Sequence, residues 1–170
     1  MDPARRARGF TLIEVMVVMV IIGLMLAFAT LSLNVGAGPA ETEARRLAAL
    51  ARLASEEAVL NNTELALRFS REGYRFQTLG ESGWNDLEDD DTFRPRRYPA
   101  PLVLEGEIDG EPLSFSEEQG PTVFFLSSGE MSAFTLTLAE DHPDAPRYRL
   151  QGTPVGEVIY LGKVEGEAFP

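Results

Sequence analysis

Two hydrophobic patterns divide the chain. From Val15 to Ala40 no side chain is charged, and Val15 to Leu33 is almost wholly Val, Ile, Leu, Met, Ala and Phe. A helix needs about 20 such residues to cross about 30 Å of hydrocarbon, so this stretch predicts a membrane-spanning helix. Gly23 within it fits ordinary membrane-helix composition. Gly36-Ala37-Gly38-Pro39 then weakens the helix, either as a flexible joint or as a plain break between two helices.

Pro39 suits a first helical turn and opens a second helix over about Ala40 to Leu60. Leu47, Leu50, Ala51, Ala54 and Ala58 recur at steps of three and four, one apolar stripe facing a core. Glu41 and Arg45 form an i,i+4 pair on its wet side, and Asn61-Asn62 suits its end, since asparagine tolerates left-handed backbone. After that the period becomes two. Leu65, Leu67 and Phe69 alternate with polar or small residues, as do Tyr74 and Phe76, with Ser70 to Gly73 as a hairpin loop. A second hairpin is expected from Val123 to Leu126 through Ser127-Ser128-Gly129-Glu130 to Phe134, Leu136 and Leu138. A third pairs Arg147 to Leu150 with Val158 to Leu161. Leu102 to Glu105 and Pro112 to Phe115 are weaker strands. A helix followed by hairpins means α+β, with antiparallel sheets packed by one face on the helix. Glu81 to Pro101 reads as a long polar loop pinned by Trp84 and Leu87, in which Arg94, Arg96 and Arg97 follow an acidic run.

Charge adds direction. The chain carries −12, with 15 Lys plus Arg against 27 Asp plus Glu. Arg5, Arg6 and Arg8 sit ahead of the apolar stretch, and everything beyond it is strongly acidic. The positive-inside rule keeps the arginine-rich end in the cytoplasm and exports the remainder. An acidic field disfavours nucleic acid as a partner. With no cysteine, the exported part has neither disulfides nor thiolate metal sites and relies on its core.

The order of segments is diagnostic. In a secretory signal peptide the cleavage site follows the apolar run; here a polar leader, Met1 to Gly9, precedes it. Cutting after Gly9 leaves the hydrophobic helix in place. Glu14 stands near the start of that helix, where a carboxylate costs roughly 2.5–3.5 kcal/mol on insertion scales and so has a partner or a role. It lies four residues beyond Phe10, on the same helix face as the amine that cleavage would expose. The plainer reading is an interfacial glutamate favoured by the helix dipole.

The segment R-G-F-T-L-I-E-V-M-V-V-M-V-I-I-G resembles the N-terminus of type IV pilins and type II secretion pseudopilins. E-E-A-V-L-N-N, L-A-L-R-F, G-Y-R-F, the W-x-x-L and R-P-R-R segments and S-G-E-M-S-A-F-T-L-T-L resemble the H-type minor pseudopilin of type II secretion. Minor pilins of the FimT kind, which assemble type IV pili or bind DNA or a surface, share the architecture. The resemblance implies a pilin-like fold and cleavage between Gly9 and Phe10 by prepilin peptidase. It also implies N-methylation of Phe10, and pairing of Glu14 with that amine during filament assembly. It divides the chain into a cleaved leader (1–9), a transmembrane and filament-core helix (10–38) and a periplasmic pilin-like domain (39–170). The implied partners are other minor pseudopilins, the major pseudopilin, the inner-membrane assembly platform and secreted exoproteins. The implied location is the inner membrane, single-pass, near the tip of a filament that helps export folded proteins.

No enzymatic constellation competes. His142, the lone histidine, lies in the loop-like A-E-D-H-P-D-A-P; no G-x-S-x-G occurs, and Ser127-Ser128-Gly129 reads as a turn. Asp86, Glu88, Asp89, Asp90 and Asp91 offer oxygen ligands of the kind calcium prefers, and the major pseudopilin of the family is known for a calcium site. The EF-hand spacing is nevertheless missing, so the run reads as a solvated loop. No cofactor or metal is expected.

Overall fold

The computed structural model describes residues 12–32, 37–115 and 120–165, with side chains in 24–32 left out. The chain forms two compact units, 1–37 and 38–170.

In the first unit, helix α1 (Leu12–Ser32) runs for 21 residues with Glu14 in its first turn. Every large apolar side chain from Leu12 to Ile22 is exposed. Over the residues described with side chains, no helix is both long and apolar enough to cross a membrane.

The second unit begins with α2 (Pro39–Leu60), with Pro39 in its first turn. Gly38 precedes it in extended conformation, and the Thr42 amide donates to the Gly38 carbonyl at 3.0 Å. The helix ends as its asparagines suggest: the Asn61 amide donates to the Glu57 carbonyl, and Asn62 takes a φ of 49°. Leu47, Leu50, Ala51, Ala54 and Ala58 are all buried. Glu41 and Arg45 pair at 2.7 Å, as their spacing predicts.

Ten strands follow: β1 (Leu65–Phe69), β2 (Gly73–Gly80), β3 (Gly83–Asp86), β4 (Arg96–Arg97), β5 (Leu102–Ile108), β6 (Glu111–Pro112), β7 (Thr122–Phe125), β8 (Phe134–Glu140), β9 (Arg147–Gly152) and β10 (Val158–Val164). They make two antiparallel sheets. The first has the order β3-β2-β1-β7, with β4 added to β2; the second has the order β10-β9-β8-β5-β6. Helix α2 lies against β8, β9 and β10 and reaches β1 and β7. The core between the layers holds Phe69, Phe76, Phe125, Leu47, Leu67, Leu136, Leu138 and Leu150, all essentially inaccessible. Each such side chain contributes about 1.5–3 kcal/mol through loss of water contact.

The first and third expected hairpins form, with Leu67 opposite Phe76 and Tyr160 opposite Leu150. The second does not. The reversal at 126–130 is present, with the Leu126 amide donating to the Glu130 carbonyl. Only Phe125 and Met131 then bridge. Strand β7 pairs with β1 in one sheet, whereas β8 lies between β5 and β9 in the other. The turn therefore passes the chain from sheet to sheet. The 81–101 segment also departs from a plain loop: it contains β3 and β4, and Phe93 is buried with its ring 4.9 Å from that of Phe76. Strand β6 stops at Pro112, short of the expected Phe115. Two glycines permit close approach of strands. A Cβ on Gly73 would meet the Arg96 carbonyl at 2.0 Å, and one on Gly106, at φ +135°, would meet the Thr135 carbonyl at 1.8 Å.

Candidate functional site

Gly9 and Phe10 lie outside the described residues. Glu14 sits exposed in the first turn of α1, the end where the helix dipole favours a carboxylate. The helix around it buries no large apolar side chain from Leu12 to Ile22 in a core of its own chain. Such a surface in water is unfavourable, and an apolar medium or apolar neighbours would relieve it.

The folded unit holds a carboxylate that the sequence reading did not single out. Glu43 is 1% exposed in the core of α2. Its Oε1 accepts a hydrogen bond from the Tyr74 hydroxyl at 2.7 Å, and its Oε2 pairs with the Arg46 guanidinium at 2.7 Å. The signal was available: Glu43 stands four residues before Leu47, on the same stripe as Ala51, Ala54 and Ala58. Burial raises the Tyr74 hydroxyl pKa well above its usual value, and the hydrogen bond to Glu43 raises it further. Tyr98 is raised as well, by burial first and then by the charge of Glu43. The bond between Tyr74 and Glu43 braces β2 against α2.

Two members of the acidic run are used internally, whereas Glu88, Asp89 and Asp91 are exposed. Asp86 accepts from Gln77 at 2.6 Å and pairs with Arg75 at 3.1 Å, while Asp90 accepts the amides of Thr92 and Phe93. An open basin of about 750 Å³ lies along Gln77 and residues 84–90. Among the described residues no group of His, Asp and Glu is arranged to hold a metal ion. His142 is exposed in a turn, its amide donating to the Glu140 carbonyl. Ser127 is held by Glu64, its hydroxyl donating at 2.8 Å and its amide at 3.0 Å. Nothing described joins the serine to the histidine.

A spine helix on two antiparallel sheets, preceded in the chain by an apolar helix with one carboxylate in its first turn, defines a pilin-like filament subunit. Comparisons with known proteins narrow the class. Residues 43–156 match the family model described as type II transport protein GspH, and residues 4–30 match the prokaryotic N-terminal methylation motif. The chain is 39% identical over 154 residues to type II secretion system protein H of Pseudomonas aeruginosa, covering 82% of this chain and 87% of that protein. Against the protein of the same description from Aeromonas hydrophila the identity is 29%, covering 82% and 84%. The solved structure of the minor pseudopilin EpsH from Vibrio cholerae superposes with a TM-score of 0.60 at 25% identity, covering 74% of this chain and 98% of that one. The chain belongs to the GspH family, the H-type minor pseudopilins of type II secretion. That family consists of structural parts of a secretion machine and is not an enzyme family. The type IV pilus alternative is not favoured by these matches.

Proposed function

We propose that this minor pseudopilin works at or near the tip of the periplasmic filament of type II secretion and helps to move folded proteins across the outer membrane. The observation that carries the reading is the methylation motif over residues 4–30, with Glu14 at the head of an apolar helix whose side chains from Leu12 to Ile22 find no core of their own. In this account prepilin peptidase removes residues 1–9, and the amine of Phe10 becomes methylated. Residues 10–38 remain in the inner membrane as a single span and later form part of the filament core. Residues 39–170 stand in the periplasm. Glu14 neutralises the Phe10 amine of its own chain or of a neighbour as the subunit leaves the membrane, because a lone charge is costly in a low-dielectric setting. The partners are the other minor pseudopilins, the major pseudopilin, the inner-membrane platform and the exported proteins themselves. The subunit performs no chemistry.

Intact mass of the protein extracted from inner membranes tests the processing. The expected mass is that of residues 10–170 plus one methyl group. A retained Met1, or a cut beyond the apolar run, would overturn the reading.

A further inference from the structure

Arg94, Arg96 and Arg97 follow the acidic run, and the fold gathers them with arginines from two other segments. Strand β4 carries Arg96 and Arg97 onto the start of β2, opposite Tyr74 and Gly73. The Tyr98 amide donates to the Glu72 carbonyl at 2.9 Å, which fixes the β1–β2 turn, with Arg71, beside them. Tyr74 donates in turn to Glu43 in the second turn of α2, and Arg46 pairs with the same carboxylate. The charges of Arg96 and Arg46 both act on the Tyr74 hydroxyl, so the strand and helix arginines lie close together. Arg71 and Arg94 are exposed, the Arg97 side chain is 88% exposed and that of Arg46 is 43% exposed. Glu72 reaches Arg97 at 3.9 Å, but both are so exposed that this pair holds little energy.

Such a gathering of guanidinium groups stands out in a chain of net charge −12, and it lies at one end of the folded unit. Strand β1 begins five residues after α2 stops and runs back along it, which brings the β1–β2 turn and β4 level with the first two turns of the helix. Pro39 follows directly on the span proposed above, residues 10–38. At 1.5 Å per residue, Glu43 and Arg46 stand about 6–10 Å along the helix from its start. That is close to the screening length of about 8 Å at physiological ionic strength. Chain continuity therefore brings these arginines within electrostatic reach of the lipid headgroups. Acidic side chains at the same end, Glu140, Asp141 and Asp144, belong to β8 and the turn after it, on the second sheet.

We propose that Arg71, Arg94 and Arg97, backed by Arg46, bind the phosphate groups of anionic phospholipids on the periplasmic face of the inner membrane. Guanidinium forks match phosphate oxygens, and each basic residue near an anionic surface strengthens attachment about fivefold. The inference rests on the membrane span proposed above and adds a second hold. It keeps the arginine side of the folded unit on the bilayer before the subunit enters the filament, while the acidic 140–144 side stays clear.

The test places the full chain, spin-labelled at one introduced cysteine, in nanodiscs of phosphatidylcholine alone or mixed equally with phosphatidylglycerol. The chain has no cysteine, so Ser70→Cys beside Arg71 and His142→Cys in the acidic turn, both exposed positions, each take a single label. In anionic discs the label at position 70 should divide into a slowed, headgroup-bound population and a free one. The label at position 142 should stay free. Arg71→Gln, Arg94→Gln and Arg97→Gln together should lower the bound-to-free ratio about a hundredfold. In the protein with all its arginines, about 1 M salt, which shortens screening to about 3 Å, should abolish the bound population. Equal spectra in the two discs, or equal slowing of both labels, would overturn the inference. So would a bound population that the triple variant and salt leave in place, or slowing that requires other filament subunits. A chain that enters neither disc would overturn the span itself, and this inference with it.

Discussion

Removing the hydroxyl of Tyr74 should cost the folded unit about 1.5–3 kcal/mol, the net worth of a hydrogen bond to a charged acceptor. The perturbation is Tyr74→Phe. It leaves the ring packed beside Phe69, Phe76 and Tyr98 but withdraws the donor that lies 2.7 Å from Oε1 of Glu43. Glu43 is 1% exposed, so water does not replace the lost donor. Arg46 remains on the other oxygen, but its side chain is 43% exposed and its attraction is screened by solvent. Replacing both polar ends, Glu43→Leu with Tyr74→Phe, should be far milder than the two single changes combined, because no buried charge is then left underpaired. Urea unfolding of a soluble form beginning at Pro39 would measure this. With a slope of about 1–3 kcal/mol per molar urea, the midpoint for Tyr74→Phe should fall by about 1 M. A fall worth under about 0.5 kcal/mol, or additive single changes, would refute the idea that Glu43 depends on Tyr74.

The same hydroxyls set an alkaline limit. Both Tyr74 and Tyr98 are raised above their usual value by burial, so the unfolded chain loses these protons first, near pH 10. Their contribution to stability is complete below that pH and is lost as pH rises beyond it, so unfolding midpoints should drop above about pH 10 and Tyr74→Phe should shallow the drop. In Glu14→Gln, membrane insertion should survive or improve and leader cleavage should persist, while crosslinking to partner pseudopilins and exoprotein release should fall; normal values for both would reduce Glu14 to an interfacial residue.

Much of this was legible in the sequence because local rules and tertiary structure agree there. Helix α2 has its proline start, its 3.6-period stripe and its asparagine stop, and the structure uses all three. The β1–β2 and β9–β10 hairpins join strands that are also neighbours in space. The β7–β8 reversal misled because a turn fixes only where the chain bends. Sheet membership was decided by partners far away in sequence, β1 for β7 and β5 with β9 for β8. Strands β3 and β4 escaped notice because four and two residues are too short to show a period. Glu43 was passed over because a charge on an apolar stripe is read as solvent-facing, and only its neighbour Tyr74, 31 residues away, makes it a core residue. The amino-terminal motif, matched over residues 4–30, was legible for the opposite reason: its signal is order along the chain, arginines, Gly9, Phe10 and Glu14 before the apolar run, and needs no tertiary partner.

As a working part of a type II secretion filament, the chain is needed for folded exoprotein to leave the periplasm. The decisive measurement deletes its gene in the native host and compares folded exoprotein in the medium with exoprotein held in the periplasm. The deletion should strand exoprotein in the periplasm, and the full chain should restore its release. Unchanged release without the gene would contradict it.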